Sequence, residues 1–150
     1  MFLDRVTFTK IIESTPLISI DLVVENSLGQ FLLGLRKNKP AQGFWFVPGG
    51  RILKNESLDQ AFQRLCEEEL GIFLRRDQAQ FLGPFEHFYD NSVFDDAIST
   101  HYVVLGYKLD INLAVDALPD QQHNQYKWFT REEITENSSV HLHTKRYLES

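Results

Sequence analysis

The chain has 150 residues, of which 43% are hydrophobic and 24% are charged, and these proportions are typical of a globular protein and exclude a disordered or fibrous one. Its formal net charge of −6 argues against nonspecific nucleic-acid binding, which depends on a basic surface. A single cysteine, Cys66, excludes an intrachain disulfide framework and a cysteine-rich zinc site.

The N-terminal third of the sequence predicts a short leading segment followed by strands. Apolar, β-branched runs bounded by turn residues are typical of strands, and two such runs joined by a turn that contains Gly29 predict a hairpin. In chain order the predicted elements are a short helix or extended arm over residues 6–13, strands at Leu17–Glu25 and Gln30–Arg36, and a short strand over residues 44–47.

The middle of the chain predicts one amphipathic helix. Ser57 and Gln60 fit a capping box at its start, and Gly71 is a typical residue to end it. The apolar residues that recur at helical spacing on one face are Leu58, Ala61, Phe62 and Leu65.

The remaining elements are three strands and two helices, predicted over residues 80–89, 100–109, 126–130, 131–136 and 140–148. His141 and His143, near the last helix, are expected at the surface and not as metal ligands. Strands, one central helix, further strands and a last helix indicate an α/β (α+β) sandwich with a mixed sheet. The chain has no repeat, linker, signal segment or membrane-length apolar run. We therefore expect one domain over residues 1–150 in a soluble, cytoplasmic protein without a nucleic-acid or membrane partner.

The segment from Gly49 to Ile72 combines glycines, arginines and carboxylates. Gly49 and Gly50 would let the backbone turn tightly and leave carbonyl groups free to approach a cation. Glu68 and Glu69 fall in the last helical turn, where the helix dipole disfavours negative charge unless a cation neutralises it. Such hard oxygen ligands suit Mg²⁺ or Mn²⁺. A solvated acidic helix face is the alternative explanation of the same charge run.

This segment resembles the Nudix box, G-x5-E-x7-R-E-U-x-E-E-x-G-U, in which U is a bulky aliphatic residue. The positions that match in register are Gly50, Glu56, Arg64, Glu68, Glu69, Gly71 and Ile72. The resemblance implies a Nudix α/β/α sandwich and a metal-dependent attack on a nucleoside diphosphate linked to another moiety. We also expect an ion pair between Glu56 and Arg64. One position departs from the box, because Leu65 stands where the pattern has glutamate, and Cys66 fills the following aliphatic position.

The departure at Leu65 points to a subfamily. Four further stretches, at residues 14–17, 40–51, 100–106 and 119–123, resemble the GDP-mannose mannosyl hydrolase family, which also has leucine after the box arginine. The resemblance covers nearly the whole chain. It implies Mg²⁺-dependent hydrolysis of GDP-mannose, and of GDP-glucose, to GDP and free hexose. Water would attack the anomeric carbon with inversion.

The resemblance also implies roles for the catalytic and metal-binding residues. His123 would be the general base, a role that suits a side chain whose ordinary pKa lies near neutrality. The metal, Mg²⁺ or alternatively Mn²⁺, would be held by the Gly49 carbonyl, Glu69 and Gln122. From the residues alone, a lone histidine such as His123 is more often a surface or capping residue, and Glu68 could equally be a metal ligand or a solvated side chain.

The nucleotide-sugar substrate would be bound by residues from several strands and from the N-terminus. The implied contacts are Arg36, Arg51 and Tyr102 for the diphosphate, Asp21, His87 and Tyr89 for the sugar, and Phe2, Leu3 and Phe8 for the guanosine. From the residues alone, Asp21 could be the buried partner of an arginine, and the three N-terminal residues ordinary packing. An N-terminal arm that reaches a neighbouring subunit implies a homodimer.

Two rival functions fit the same segment. A conventional Nudix pyrophosphohydrolase would cleave a nucleotide sugar at phosphorus and release a nucleoside monophosphate and a sugar phosphate. A non-catalytic Nudix module would bind a nucleotide sugar without turnover.

Overall fold

The structure of the protein, a computed structural model, describes residues 3–119 and 123–149, with the backbone alone at residues 123 and 124. The helices are α1 (Arg5–Ser14), α2 (Leu58–Leu70), α3 (Arg131–Glu136) and α4 (Leu142–Lys145). The strands are β1 (Leu17–Glu25), β2 (Gln30–Arg36), β3 (Trp45–Phe46), β4 (Gly49–Arg51), β5 (Gln80–Tyr89), β6 (Thr100–Asp110) and β7 (His123–Thr130). Short 3₁₀ turns lie at Arg76–Gln78, Val115–Ala117 and Arg146–Leu148.

The strands form one mixed sheet in the order β3-β2-β1-β6-β5, with β4 also paired to β1 and β7 to β2. Strand β1 pairs in parallel with β6 along its whole length, from Leu17 opposite Tyr102 to Glu25 opposite Asp110. The other strand pairs are antiparallel, including the predicted β1–β2 hairpin. The mixed sheet predicted from the order of elements is therefore confirmed.

Helix α2 forms because its apolar residues share one face and its ends are capped. At its start the Ser57 hydroxyl accepts from Gln60 N, and the Gln60 side chain accepts from Ser57 N, which is the predicted capping box. At its end Gly71 adopts φ 74°, a left-handed conformation that suits glycine. The apolar face packs against one side of the sheet, and the main contacts there are Ile20, Leu22, Val24, Leu32, Ala61, Phe62, Leu65, Cys66 and Leu70.

A second apolar core lies on the opposite side of the sheet, under α3 and the C-terminal segment. Its buried members are Val23, Phe31, Leu33, Phe46, Val47, Phe129, Ile134 and Val140. Strand β1 contributes to both cores, which explains why its sequence is apolar on both faces. Helices on both sides of one sheet make the α/β/α sandwich that was expected.

The structure differs from the predicted elements at three places. Strand β4 was not predicted, β7 begins at His123 instead of residue 126, and the closing helix is a four-residue α4 followed by a 3₁₀ turn. The N-terminal segment is a helix, capped by the Asp4 carboxylate on Thr7 N. Across residues 3–119 and 123–149, no helix combines the length and hydrophobicity that a membrane crossing requires.

Candidate active site

Strand β4 lies unusually close to β1, and Gly49 makes this possible. A Cβ built on Gly49 would lie 2.3 Å from the Ile20 carbonyl oxygen and 2.6 Å from Asp21 Oδ1. The pairing of Asp21 with Gly49 and of Ser19 with Arg51 holds the two strands together. The expected tight turn at Gly49-Gly50 was wrong, since both residues are in an extended strand and Gly49 is needed for close backbone approach.

A cleft of about 250 Å³ opens where β1, β2, β4, β5 and β6 meet. It brings together residues that are far apart in the sequence. Its lining consists of Phe8, Ser19, Asp21, Arg36, Pro40, Phe46, Val47, Gly49, Gly50, Arg51, His87, Tyr89 and Tyr102. Seven of the nine expected substrate contacts and one of the expected metal ligands are in this lining.

Two arginines carry positive charge to the cleft. Arg36 ends β2, and its Nε donates to the Pro40 carbonyl at 2.9 Å, which fixes the guanidinium beside the cleft. The Arg51 guanidinium lies 4.7 Å from the centroid of the Phe8 ring, a cation–π contact between β4 and α1. Guanidinium groups are good partners for phosphate oxygens, so this part of the cleft is chemically suited to a diphosphate.

Asp21 is the buried acid of the cleft floor, with only 6% of its surface exposed. Burial raises its pKa to about 7, while the hydrogen bond from Tyr147 and the charge of Arg36 act in the opposite direction. The Tyr147 hydroxyl donates to Asp21 Oδ2 at 2.5 Å. The sequence left open that Asp21 is the buried partner of an arginine. Arg36 is close enough to influence its charge, but the hydrogen bond to Asp21 comes from Tyr147.

His87 belongs to a stack of histidines behind the cleft. Its ring lies parallel to that of His143, with 4.2 Å between centroids and 3° between planes. Burial, together with the His143 and His141 rings, lowers the pKa of His87 to about 3, so it is neutral at physiological pH. Its buried Nε2 has no hydrogen-bond partner among the described residues, which leaves it available to a ligand hydroxyl.

The surface position expected for His143 was wrong, and His141 is only partly exposed. His143 is 6% exposed, and its Nε2 lies 3.3 Å from the Phe88 carbonyl oxygen. His141 is half-buried and caps α4, where its Nδ1 accepts from His143 N. Alternate spacing in a polar stretch suggested exposure, but the C-terminal segment folds back under β5, where it buries the His143 side chain and partly covers that of His141.

Two tyrosines complete the polar lining. Burial raises the pKa of Tyr89 and of Tyr102 above the ordinary value of 10.0. Both hydroxyls are therefore protonated at neutral pH and can donate a hydrogen bond to an anionic or hydroxyl ligand.

The Glu56–Arg64 ion pair expected from the sequence is confirmed. Arg64 Nε and Nη2 donate to the two oxygens of Glu56 at 2.7 and 2.9 Å, a two-pronged contact. Arg64 Nη2 also donates to the Arg51 carbonyl, and Nη1 to Glu68 at 3.0 Å. Arg64 thus ties the loop after β4 to helix α2, and Glu68 serves this structural network.

Glu69 is a buried carboxylate beside β4. It is 1% exposed, and its Oε1 lies 3.4 Å from Gly49 N. A buried carboxylate next to extended backbone is a donor set that fits a hard divalent cation. Among residues 3–119 and 123–149, no group of three or more His, Cys, Asp or Glu side chains is arranged to hold a metal ion. The metal ligands expected from the sequence include only one carboxylate, that of Glu69. The other two are the Gly49 carbonyl and the Gln122 amide, so these ligands do not form a group of that kind.

The remaining expected site residues lie outside the cleft lining or outside the described residues. Leu3 precedes α1 and does not line the cleft. Phe2 and Gln122 lie outside the described residues. For His123 the backbone shows that it begins β7 opposite Arg36, so the register places it next to a cleft-lining position. The sequence carried no signal for Tyr147, which reaches Asp21 from 126 positions away.

Comparison with known proteins gives the family. The sequence model of the NUDIX domain matches residues 15–149. The low-salt glycan biosynthesis protein Agl8 of Haloferax volcanii is 40% identical over 143 residues, which cover 93% of this chain and 85% of the relative.

Solved structures give the same fold. A MutT NUDIX hydrolase from Burkholderia pseudomallei superposes with a TM-score of 0.70 at 27% identity, covering 91% of this chain and 98% of that one. The NUDIX domain of Shewanella oneidensis NrtR, solved in complex with ADP ribose, superposes with a TM-score of 0.66 at 19% identity, covering 97% and 91%. The match of the family model over most of the chain and the similarity to Agl8, together with the mixed sheet and the box helix α2, show that the chain belongs to the Nudix family.

Proposed function

We propose that this protein hydrolyses GDP-mannose, and also GDP-glucose, to GDP and free hexose by attack of water at the anomeric carbon with inversion. The observation that carries the proposal is the composition of the cleft. It combines two guanidinium groups, suited to a diphosphate, with the polar groups Asp21, His87 and Tyr89, suited to sugar hydroxyls. A role in glycan biosynthesis, stated in the name of the Haloferax volcanii relative, is compatible with a nucleotide-sugar substrate.

The environment of Leu65 supports attack at carbon instead of phosphorus. Leu65 lies on α2, one helical turn before Glu69. It is 1% exposed and packs in the core between α2 and the sheet. The carboxylate that the Nudix box places at this position is therefore replaced by an apolar contact. Glu68 on the same helix pairs with Arg64, and Glu69 is the proposed metal ligand, so we infer that the base that activates water comes from another element.

We assign the base to His123. The backbone pairing of His123 with Arg36 brings the start of β7 to the strand that ends at the cleft. A histidine with an ordinary pKa near neutrality can accept the proton of the attacking water at physiological pH. As water bonds to the anomeric carbon, the bond from that carbon to the diphosphate oxygen breaks, and its electron pair leaves with GDP.

Different cleft residues would bind the diphosphate and the sugar of the substrate. Arg36 and Arg51 would bind the leaving diphosphate, and the protonated Tyr102 would donate to one of its oxygens. Neutral His87 would donate to or accept from a sugar hydroxyl. Mg²⁺ or Mn²⁺, held by Gly49, Glu69 and Gln122, would supply further neutralisation of the diphosphate charge. The proposal includes a homodimer in which Phe2, Leu3 and Phe8 contribute to guanosine binding.

Product analysis tests the proposal. The purified chain is incubated with GDP-mannose or GDP-glucose, with Mg²⁺ or with EDTA, and products are separated by anion-exchange chromatography. We expect GDP and free hexose in the presence of Mg²⁺ only. GMP with hexose 1-phosphate would support the pyrophosphohydrolase alternative, and calorimetric binding of GDP-mannose without turnover would support the binding module.

A further inference from the structure

The C-terminal segment delivers Tyr147 to the underside of the cleft. The Tyr147 ring meets the Phe85 ring edge-on, with 4.7 Å between centroids. It also lies against Gly106, where an added Cβ would come within 3.0 Å of Tyr147 Cε1. Residues of β5 and β6 therefore pack closely against this ring, and this packing fixes the direction of its hydroxyl group.

The Tyr147 hydroxyl forms a hydrogen bond with one of the two oxygens of the Asp21 carboxylate. It donates to Oδ2 at 2.5 Å, whereas Oδ1 is on the β4 side, 2.6 Å from the position of a Cβ on Gly49. Burial and the neighbouring Asp21 charge raise the pKa of Tyr147 far above its ordinary value, so this hydroxyl stays protonated and donates. The two oxygens of Asp21 are thus made unequal by their surroundings.

We propose that Tyr147 is a positioning residue, which holds the Asp21 carboxylate so that Oδ1 is presented to a hydroxyl group of the ligand in the cleft. The inference rests on the proposed function, because it takes the cleft as the sugar site. Tyr147 does not line the cleft, and its one hydrogen bond to a cleft-lining residue that the structure describes is to Asp21. Its ring also meets the His87 ring edge-on, with 6.2 Å between centroids, and Tyr147→Phe keeps that ring contact. Without the hydroxyl, the carboxylate would turn about its terminal torsion, which has a broad minimum.

A double-mutant cycle tests this role. Tyr147→Phe removes the hydroxyl and keeps the packing of the ring against Phe85 and Gly106. We expect kcat/KM for the GDP-hexose to fall about 10-fold, the scale of one hydrogen bond to a charged group. The loss should appear mainly in KM, because a hydroxyl contact holds the substrate before and during the reaction. In an Asp21→Ala background the same substitution should change kcat/KM by less than about twofold.

The matched control is Tyr107→Phe, which removes a hydroxyl from a buried β6 tyrosine whose oxygen lies 3.4 Å from Arg76 on the α2 side. We expect it to leave kcat/KM within about twofold of wild type in both backgrounds. Equal effects of Tyr147→Phe with and without Asp21 would overturn the inference and indicate a purely structural role.

Crystal structures of the wild type and of Tyr147→Phe give a readout that does not depend on turnover. A rotated Asp21 carboxylate in the variant supports the inference, and an unchanged one overturns it. An Asp21→Ala variant with wild-type kcat/KM would instead overturn the proposed function, because Asp21 would then not contact the substrate. A large effect of Asp21→Ala with none for Tyr147→Phe would overturn the positioning role alone.

Discussion

Replacing Gly49 by alanine measures how much the close contact between β4 and β1 contributes to stability. The added Cβ would lie 2.3 Å from the Ile20 carbonyl oxygen, and real Cβ atoms essentially never approach another atom within 3.0 Å. Strand β4 therefore has to retreat by roughly 0.7 Å in a region packed to crystal-like density. Hydrogen bonds on either side resist this movement, from Leu22 N to the Pro48 carbonyl and from Ile52 N to the Ile18 carbonyl, each 2.8 Å long.

Forced overpacking of this kind costs about 1–3 kcal/mol, and we expect the upper half of that range because the clashing atoms are backbone and a fixed carboxylate. For a chain of this size, a cost of about 2–3 kcal/mol corresponds to a fall in Tm of roughly 4–12 °C. Urea unfolding followed by circular dichroism at neutral pH gives the free energy of unfolding directly.

Gly43→Ala is a control in which the loss of stability comes from backbone strain and not from a steric clash. Gly43 has a φ of 83° and no atom within 4 Å of an added Cβ, so alanine there experiences backbone strain without a clash. We expect a cost of about 1 kcal/mol. If Gly49→Ala changed the free energy of unfolding by less than Gly43→Ala does, the close approach of β4 to β1 would not be the reason for glycine at position 49.

Three further predictions follow from the ion pair, the thiol and the proposed base. A Glu56→Gln, Arg64→Met double-mutant cycle should give a coupling of roughly 1–3 kcal/mol at pH 7 in urea unfolding, because both side chains are largely shielded from solvent. Hydrogen bonds from Arg64 lower the pKa of Glu56, so this stabilisation is present above the ordinary value of 4.5 and is lost as pH falls through the folded-state pKa; a coupling that did not weaken in acid would contradict the assignment. Burial raises the pKa of Cys66 to about 12, so at pH 8 a thiol reagent should label the native chain about 1000-fold more slowly than the urea-unfolded chain, and equal rates would be inconsistent with a buried thiol. His123→Ala should lower kcat for GDP-mannose by about 10²–10⁴-fold with little change in KM, and near-normal activity over the neutral pH range would exclude His123 as the base.

Much of the fold could be predicted because its signals are local. The strands Leu17–Glu25 and Gln30–Arg36 have the predicted bounds, since apolar runs bounded by turn residues define them without help from distant residues. The capping box at Ser57 and the left-handed Gly71 likewise depend on neighbouring residues only. Strand β4 was missed because a Gly-Gly sequence has low strand propensity and is held in place by pairing with β1.

The site was predictable to the extent that motif spacing and family resemblance determined it. The Glu56–Arg64 pair follows from residues eight positions apart across one helix start. The contributions of Tyr147 and His143 could not be predicted, because each depends on the C-terminal segment folding back against β5 and β6. His143 appeared solvent-exposed in sequence for the same reason, although its ring stacks on His87.

The most direct test of the proposed function is the fate of oxygen from labelled water. Hydrolysis of GDP-mannose in H₂¹⁸O with Mg²⁺, followed by mass spectrometry of both products, identifies the bond that breaks. Attack at the anomeric carbon predicts ¹⁸O in the free hexose and unlabelled GDP. Label in a phosphate group would show attack at phosphorus and contradict the proposal.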